Sequence, residues 1–258
     1  MSRSGCDTEG EGRGVADRYG SWAELAATET EGVDYRIRSA GPVGASTAVI
    51  AVHGGSIEAG SGEMAREVAG ARTRTRYYEL DGMKSSGNAD LHITSTRYDE
   101  PGALAAVTAA RSCLSFHGYR GAAQVAMTAV GGLDAALVAH VVHELTAAGF
   151  AVTTAAGRIA GTHPANICNR ASGGGVQVEM SEALRRSFFP GGDFSRAVRE
   201  TGARTETFRR YAAAVRAARV RRELVPGRRL PHPADSPACG LSTPMPTSTN
   251  RTMPSRTR

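Results

Sequence analysis

The sequence of 258 residues lacks the features that define several broad classes of protein. It has no run approaching the ~20 consecutive apolar residues that cross a bilayer, so no membrane contact is predicted. The polar, glycine-rich first residues contain no apolar core of a secretory signal, and we expect a cytoplasmic protein that lysis can release. The four cysteines form no CxxC pair, which argues against a disulfide framework and favours a reducing compartment.

Lysine is almost absent. Lys84 is the only lysine among 31 basic residues, and the formal net charge is +6 at pH 7. This arginine content reflects either a base-composition bias in the coding gene or a cationic surface for a polyanion, because guanidinium groups pair bidentately with carboxylates and phosphates. The net charge alone does not show whether the polyanion is a nucleic acid or an acidic polymer. Aromatic residues make up only 5%, which is few for a surface that binds nucleic acid.

Composition divides the chain into three parts. Residues 1–16 predict a flexible lead. Residues 226–258 are rich in Pro, Ser, Thr and Arg and too poor in apolar side chains to offset the entropy of ordering, which predicts a disordered tail. Residues 17–225 remain for a single folded domain, which we expect to be a monomer.

Apolar runs alternate with helical patterns in this domain. The continuous β-branched run 46–53 is typical of a buried strand. Further strands are predicted at 74–80, 90–96, 112–117, 124–130, 151–155 and 175–181, and helices at 62–71, 101–111, 133–150 and the arginine-rich segment 194–225. The alternation predicts an α/β fold, in which a mixed, mostly parallel and twisted sheet carries helices on both faces.

Two of the predicted strands end in histidine. His53 is followed by two glycines and, five positions on, by Glu58, whereas His117 precedes Gly118. Sites in open α/β sheets form at the carboxyl ends of strands, and two imidazoles, a carboxylate and a water make a catalytic zinc set. The alternative is that both histidines are turn residues whose rings bond to backbone groups. That interpretation suits either histidine taken alone, but it is less favoured when His53, Glu58 and His117 are taken together.

Hydrolysis assisted by a metal also needs a carboxylate that does not bind the ion. Glu179 lies in the apolar run 175–181 and is the predicted general base, with Glu182 as a weaker competitor. The alternative is an amphipathic surface strand.

Three cationic or polar residues are candidates for contact with an anionic substrate. Arg170 and Arg185 flank the predicted base, so either one is suited to hold the developing oxyanion or a substrate carboxylate, although a plain surface role is equally open. We assign Arg170 to the catalytic set and Arg185 to substrate binding. His92 shares a face of its predicted strand with Thr94 and is assigned to substrate contact.

An ordered set of segments makes the chain resemble the poly-γ-glutamate hydrolases, a family also labelled phage-related replication proteins. These segments fall between about residues 34 and 189: AVHGGSIEAGSGEMAREVAG, YYELDG, LHITSTRYDEP, SFHGY, VGGLD and NICNRASGGGVQVEMSEALR. The resemblance implies a zinc carboxypeptidase-like core, Zn²⁺ as cofactor and hydrolysis of γ-glutamyl amide bonds. By position it implies that the zinc ligands are His53, Glu58 and His117. By analogy with carboxypeptidases it implies Glu179 as the general base.

Two departures from the family pattern are mild. Ser56 stands where a third small residue, usually glycine, is expected, and Ser61 stands where threonine is expected. Neither change removes a ligand. Arg170 and Arg185 lie in matching segments, but the resemblance assigns them no role.

Three functions are therefore open at this point. The first is a zinc-dependent hydrolase of poly-γ-glutamate, whose partner is an anionic glutamate polymer. The second keeps the zinc site but acts on another acyl-glutamate or on a cell-wall γ-glutamyl peptide. The third is a basic, phage-type accessory protein that binds nucleic acid through the arginine-rich helix at about 194–222, with salt-sensitive binding that needs no metal.

Overall fold

The apolar runs form a seven-stranded sheet. In the computed structural model, which describes residues 17–70 and 74–224, the strand order is β1-β3-β2-β4-β7-β5-β6. The strands are β1 (Tyr35–Ala40), β2 (Thr47–Gly55), β3 (Thr75–Gly82), β4 (Ser112–Tyr119), β5 (Thr128–Gly132), β6 (Val152–Thr154) and β7 (Gly175–Ser181).

The centre of the sheet is parallel. β2 pairs in parallel with both β3 and β4, and β4 pairs in parallel with β7. β1 runs antiparallel to β3, and β5 runs antiparallel to β7 with β6 parallel beside it. The carboxyl ends of β2, β4 and β7 consequently meet at one edge. The prediction of a mixed, mostly parallel sheet is confirmed.

Helices cover both faces of this sheet. They are α1 (Trp22–Thr28), α2 (Ser61–Ala69), α3 (Pro101–Thr108), α4 (Ala135–Ala147), α5 (Glu182–Ser187), α6 (Arg196–Glu200) and α7 (Glu206–Leu224). Side chains of β2 explain why its sequence is continuously apolar: Val49 and Ala51 join one buried cluster with α2, α4 and α7, while Ile50 and Val52 join another with α1 and α3. None of the helices within the described residues has the length and hydropathy needed to cross a membrane.

Local caps explain where two of these helices begin. Pro101 occupies the first turn of α3, and the carboxylate of Glu100 accepts from the amide of Ala103. Asp134 caps α4 in the same way through the amide of Leu137.

Three predicted elements differ from the structure. The segment 90–96 is not a strand: its amides at His92 and Thr94 donate to the carbonyl of Ala89 and the carboxylate of Asp17 instead of to a neighbouring strand. The run 124–130 becomes strand only from Thr128 on. The segment 194–225 contains two helices, because residues 201–205 interrupt it.

The arginines of α7 largely pair within the protein. Phe208, Tyr211 and Val215 place one face of the helix in the core. Beside that face lie three ion pairs, Arg216 with Glu67, Arg221 with Glu144 and Arg222 with Asp134. The high arginine content of this helix therefore serves packing against α2 and α4. The predicted lead (1–16) and tail (226–258) lie outside the described residues.

Candidate metal centre

Two buried histidines meet at the edge where β2 and β4 end. His53 and His117 are each 2% exposed, and their Nδ1 atoms lie 3.1 Å apart. Glu58, in the loop after β2, places Oε1 3.1 Å from Nδ1 of His53 and Oε2 3.6 Å from Nδ1 of His117. Among the described residues, these three side chains form the group whose ligand atoms lie within 4.8 Å of one another. The structure thus brings together the three predicted metal ligands.

The loop after β2 folds back because of its glycines. Gly55 has φ +62°, and a Cβ there would lie 2.2 Å from Oδ1 of Asp81. The amide of Glu58 and the hydroxyl of Ser61 then both donate to the carbonyl of His53, at 3.0 and 3.2 Å. A side chain at position 55 would push this loop away from the sheet.

Hydrogen bonds on the far side of each imidazole ring occupy one nitrogen and leave the other to face a metal ion. Nε2 of His53 lies 2.9 Å from the carbonyl of Ile93, which can only accept, so Nε2 carries a proton and Nδ1 is the nitrogen that faces Glu58. Nε2 of His117 lies 2.7 Å from the hydroxyl of Ser115. Contacts of this kind orient metal-binding histidines, and the Ile93 carbonyl also requires a proton on the nitrogen that it contacts, whereas the Ser115 hydroxyl can donate or accept.

The donor set fits Zn²⁺. Two imidazole nitrogens and a carboxylate converge here at distances that call for a cation among them, either a metal ion or a proton on an imidazole. A tetrahedral zinc ion with Zn–N bonds of 2.0–2.1 Å holds two nitrogens about 3.3 Å apart, close to the separation found here. Burial alone would raise the pKa of the Glu58 carboxyl, but the two imidazoles beside it hold that pKa well below its usual value.

Glu179 lies next to this group on β7. Its Cα pairs in register with that of His117, and its side chain is buried. Burial raises the pKa of the Glu179 carboxyl to about 7, with a further contribution from the charge of Glu58. Nε2 of Gln177 donates to Oε1 of Glu179 at 2.8 Å, and Nδ2 of Asn166 donates to Gln177 at 2.7 Å, so the carboxylate is held in one orientation. A buried carboxyl that titrates near neutrality is suited to general-base work.

The weaker competitor, Glu182, is engaged elsewhere. Its carboxylate accepts from the guanidinium of Arg186 at 2.8 Å, one helical turn along α5. It is not part of the group of ligand atoms formed by His53, Glu58 and His117.

His92 covers the ring of His53. The two rings stack with centroids 3.9 Å apart. Nδ1 of His92 donates to Asp17 at 2.6 Å, and Asp17 also accepts from the amide of Thr94 and the guanidinium of Arg97. The neighbouring His53 and burial lower the pKa of His92 to about 4, so the ring is neutral with Nε2 bare. Asp17 could not have been found from the sequence, because no local pattern links it to a histidine 75 positions away.

The two predicted arginines lie in different surroundings. Arg185 is buried, and its guanidinium donates to main-chain carbonyls. Arg170 is exposed at the end of a short 3₁₀ helix, and the chain after it bonds to Ala110 and Arg111 at the start of β4, the opposite end from His117. No contact within the described residues joins Arg170 to the metal group.

The chain is similar in sequence to a known family and to individual proteins. The family described as poly-gamma-glutamate hydrolase matches residues 19–214. The SPbeta prophage-derived UPF0714 protein YoqZ of Bacillus subtilis (strain 168) is 36% identical over 178 residues, which cover 68% of this chain and 62% of the relative. The UPF0714 protein YndL of the same organism is 38% identical over 176 residues, which cover 67% of each chain. The chain thus spans about two thirds of the length of these relatives.

Two solved structures are similar over most of the chain. The structure of a bacteriophage poly-gamma-glutamate hydrolase has a TM-score of 0.76 and 37% sequence identity, covering 81% of this chain and 99% of that one. A zinc-free structure of YndL has a TM-score of 0.72 and 33% identity, covering 81% and 100%.

Proposed function

The chain belongs to the poly-gamma-glutamate hydrolase family, and we propose that it hydrolyses γ-glutamyl amide bonds of poly-γ-glutamate with one Zn²⁺ ion. The observation that carries this proposal is the convergence of two imidazole nitrogens and a carboxylate at one strand edge, with a separate buried carboxyl beside them. The described residues of the centre thereby supply both parts of metal-assisted hydrolysis, an ion site and a base.

Each side chain then has a distinct task. His53, Glu58 and His117 hold the ion. When bound, Zn²⁺ acidifies a water and polarises the scissile carbonyl. Glu179 accepts the proton of the attacking water and delivers it to the leaving amine. Gln177 occupies Oε1 of Glu179, which leaves Oε2 for the water.

A cavity that follows the end of β4 offers arginines to the anionic polymer. A cavity of about 360 Å³ is lined by the loop after β4 and by α5, including Arg120 and Arg186. Arg120 is exposed and lies three residues after His117, while the guanidinium of Arg186 lies over the ring of Phe194 at 4.1 Å. Each unit of poly-γ-glutamate carries a free α-carboxylate, and we assign these arginines to its recognition because guanidinium groups bind carboxylates strongly.

The nucleic-acid function has less support from the structure. It rested on the arginine-rich segment, whose main helix α7 places Arg216, Arg221 and Arg222 in ion pairs. The proposal retains a monomer made in the cytoplasm and released by lysis, which light scattering and cell fractionation will check.

A pair of substitutions tests the assigned base. Glu179→Gln removes the carboxylate, and we expect zinc content to stay at the wild-type level while shortening of the polymer is lost. Glu182→Gln is the matched control, because the same chemical change three residues away leaves the centre intact. Full activity of Glu179→Gln would overturn the assignment. Zinc binding without shortening of the polymer, together with release of amine from another γ-glutamyl compound, would support the second function instead.

A further inference from the structure

Arg185 is a buried cation with an unusual set of partners. Its side chain extends from α5 and the residue is 6% exposed, yet it makes no ion pair with any carboxylate of the described residues. Burial lowers the pKa of this guanidinium, although the charges of Glu58 and Glu182 act in the opposite direction. A buried charge without a counter-charge is costly, so its retention calls for a physical reason.

The guanidinium binds three main-chain carbonyls in three directions. Nε donates to Met180 at 3.1 Å, Nη1 to Ala59 at 2.7 Å and Nη2 to Tyr119 at 3.2 Å. These carbonyls belong to three separate segments: the loop after β2, the end of β4 and the end of β7. One planar group therefore ties together the three pieces of chain that meet at this edge.

The three carbonyls share a relation to the metal centre. Ala59 directly follows Glu58, and Met180 directly follows Glu179. Tyr119 lies two residues after His117. The guanidinium thus holds the backbone next to two ion ligands and to the general base.

Glycine at position 118 makes room for this arrangement. A Cβ on Gly118 would lie 2.5 Å from Cζ of Arg185. The amide of Gly118 also donates to Oε2 of Glu58 at 2.8 Å, so the guanidinium, this peptide and the ligand carboxylate are in contact one after another. Lysine cannot replace the arginine here, because an ammonium is a point donor without the planar fork.

We propose that Arg185 is a positioning residue, which fixes Glu58, His117 and Glu179 relative to one another and so sets the affinity and geometry of the ion site. This role differs from the substrate contact predicted from the sequence. The inference rests on the proposed function only in that it requires the ion.

The test compares Arg185→Lys and Arg185→Met with wild type in the full chain. Zinc affinity is measured by competition with a chromophoric chelator, and coordination geometry by the visible spectrum of the Co²⁺-substituted protein. We expect zinc affinity to fall about 10- to 100-fold, as when other partners of metal ligands are removed, and the Co²⁺ bands to shift. With the polymer as substrate, kcat should fall while KM stays near the wild-type value.

Arg209→Lys is the matched control. Arg209 lies on α7, its side chain is 62% exposed, and it pairs with Glu206. The same substitution there should leave zinc affinity and the Co²⁺ spectrum unchanged.

Two outcomes would overturn the inference. One is an Arg185→Lys protein with wild-type zinc affinity and spectrum but a raised KM, which is the behaviour of a substrate contact. The second outcome applies if the Arg185 variants do not fold. Gly118→Ala then retains the arginine but displaces its guanidinium, and an unchanged Co²⁺ spectrum in that variant would overturn the inference. Affinity and spectrum are read without substrate, so a failure to cut poly-γ-glutamate leaves this test intact. A wild-type protein that binds no zinc would contradict the proposed function itself.

Discussion

At the scale of single residues, the chemistry of the centre depends on which atoms are already engaged. The carbonyl of Ile93 occupies Nε2 of His53, and the hydroxyl of Ser115 occupies Nε2 of His117, so both Nδ1 atoms face Glu58. The candidate ligands could be selected from the sequence, because a histidine at the end of a buried strand followed by glycine is a local pattern. The residues that bond to the histidine rings could not be predicted, since no sequence pattern links Ile93 to His53 or Ser115 to His117.

The protonation of Glu179 gives a prediction on pH. The base must be ionised to act, and burial raises the pKa of its carboxyl to about 7, so the active fraction grows as pH increases through this value. Gln177→Leu removes the donor to Oε1, which favours the neutral form and raises this pKa further. We expect the acidic limb of the pH profile of kcat to move to higher pH in the variant. The charge of bound zinc lowers the pKa in both proteins, which preserves the direction of the difference. A limb that stays in place or moves to lower pH would refute the role of Gln177.

Arg120 gives a second prediction at this scale. Removing its guanidinium deletes a contact made equally by bound substrate and transition state, so Arg120→Ala should raise KM for poly-γ-glutamate about 10-fold with little change in kcat. Steady-state kinetics on polymer and on a short γ-glutamyl peptide will measure this, with a smaller effect on the peptide. Arg209→Ala, at a side chain that is 62% exposed on α7, is the control and should leave both constants unchanged. An equal rise in KM for both variants would mean a general effect of charge.

At the scale of elements, the loop after β2 places Glu58 beside the two histidines. This loop turns at Gly55, and the sequence indicated the turn through its two glycines. The predicted strand at 90–96 was wrong, because a pattern of burial does not by itself show a strand. Alternation of polar and apolar residues reflects the burial of Leu91 and Ile93 in the cluster that α1 and α3 also join, but it does not supply a strand for their backbone to pair with. The break inside 194–225 has a local origin, because Gly202 adopts φ +78°.

Gly55→Ala tests the turn. The left-handed conformation costs an alanine about 1–2 kcal/mol, and the new Cβ must also displace Asp81, which pairs with Arg36 and Arg38. We expect urea unfolding of the metal-free protein to show a loss of about 3 kcal/mol or more, together with weaker zinc binding. Gly32→Ala is the matched control: its φ is +84° but nothing lies within 4 Å of the added Cβ, so it should lose only about 1 kcal/mol and keep its zinc affinity. Equal losses at both positions would refute the contact with Asp81.

At the scale of the whole molecule, the class of fold followed from the alternation of strands and helices, and the ordered set of family segments identified the family. The strand order could not be predicted, because the antiparallel placement of β1 and β5 depends on contacts between distant parts of the chain. Arg185 shows the same limit most clearly. Its sequence position suggested a substrate contact, whereas the assembled fold surrounds it with three carbonyls.

Metal binding should also stabilise the whole molecule. An ion that binds only the folded state adds about 4 kcal/mol at a free concentration 1,000 times its Kd, which raises the Tm of a domain of this size by roughly 10 °C. Calorimetry with and without a chelator will measure the shift. The shift should vanish in His117→Ala, and a shift of full size in that variant would place the ion elsewhere.

The most direct test of the account is the zinc content of purified wild-type protein and of His53→Ala, with the chain length of poly-γ-glutamate followed in both. The account predicts about one zinc per chain in the wild type, shortening of the polymer that a chelator stops and added zinc restores, and the loss of both in the variant. Shortening that continues without zinc, or a wild-type protein that neither binds zinc nor shortens the polymer, would contradict it.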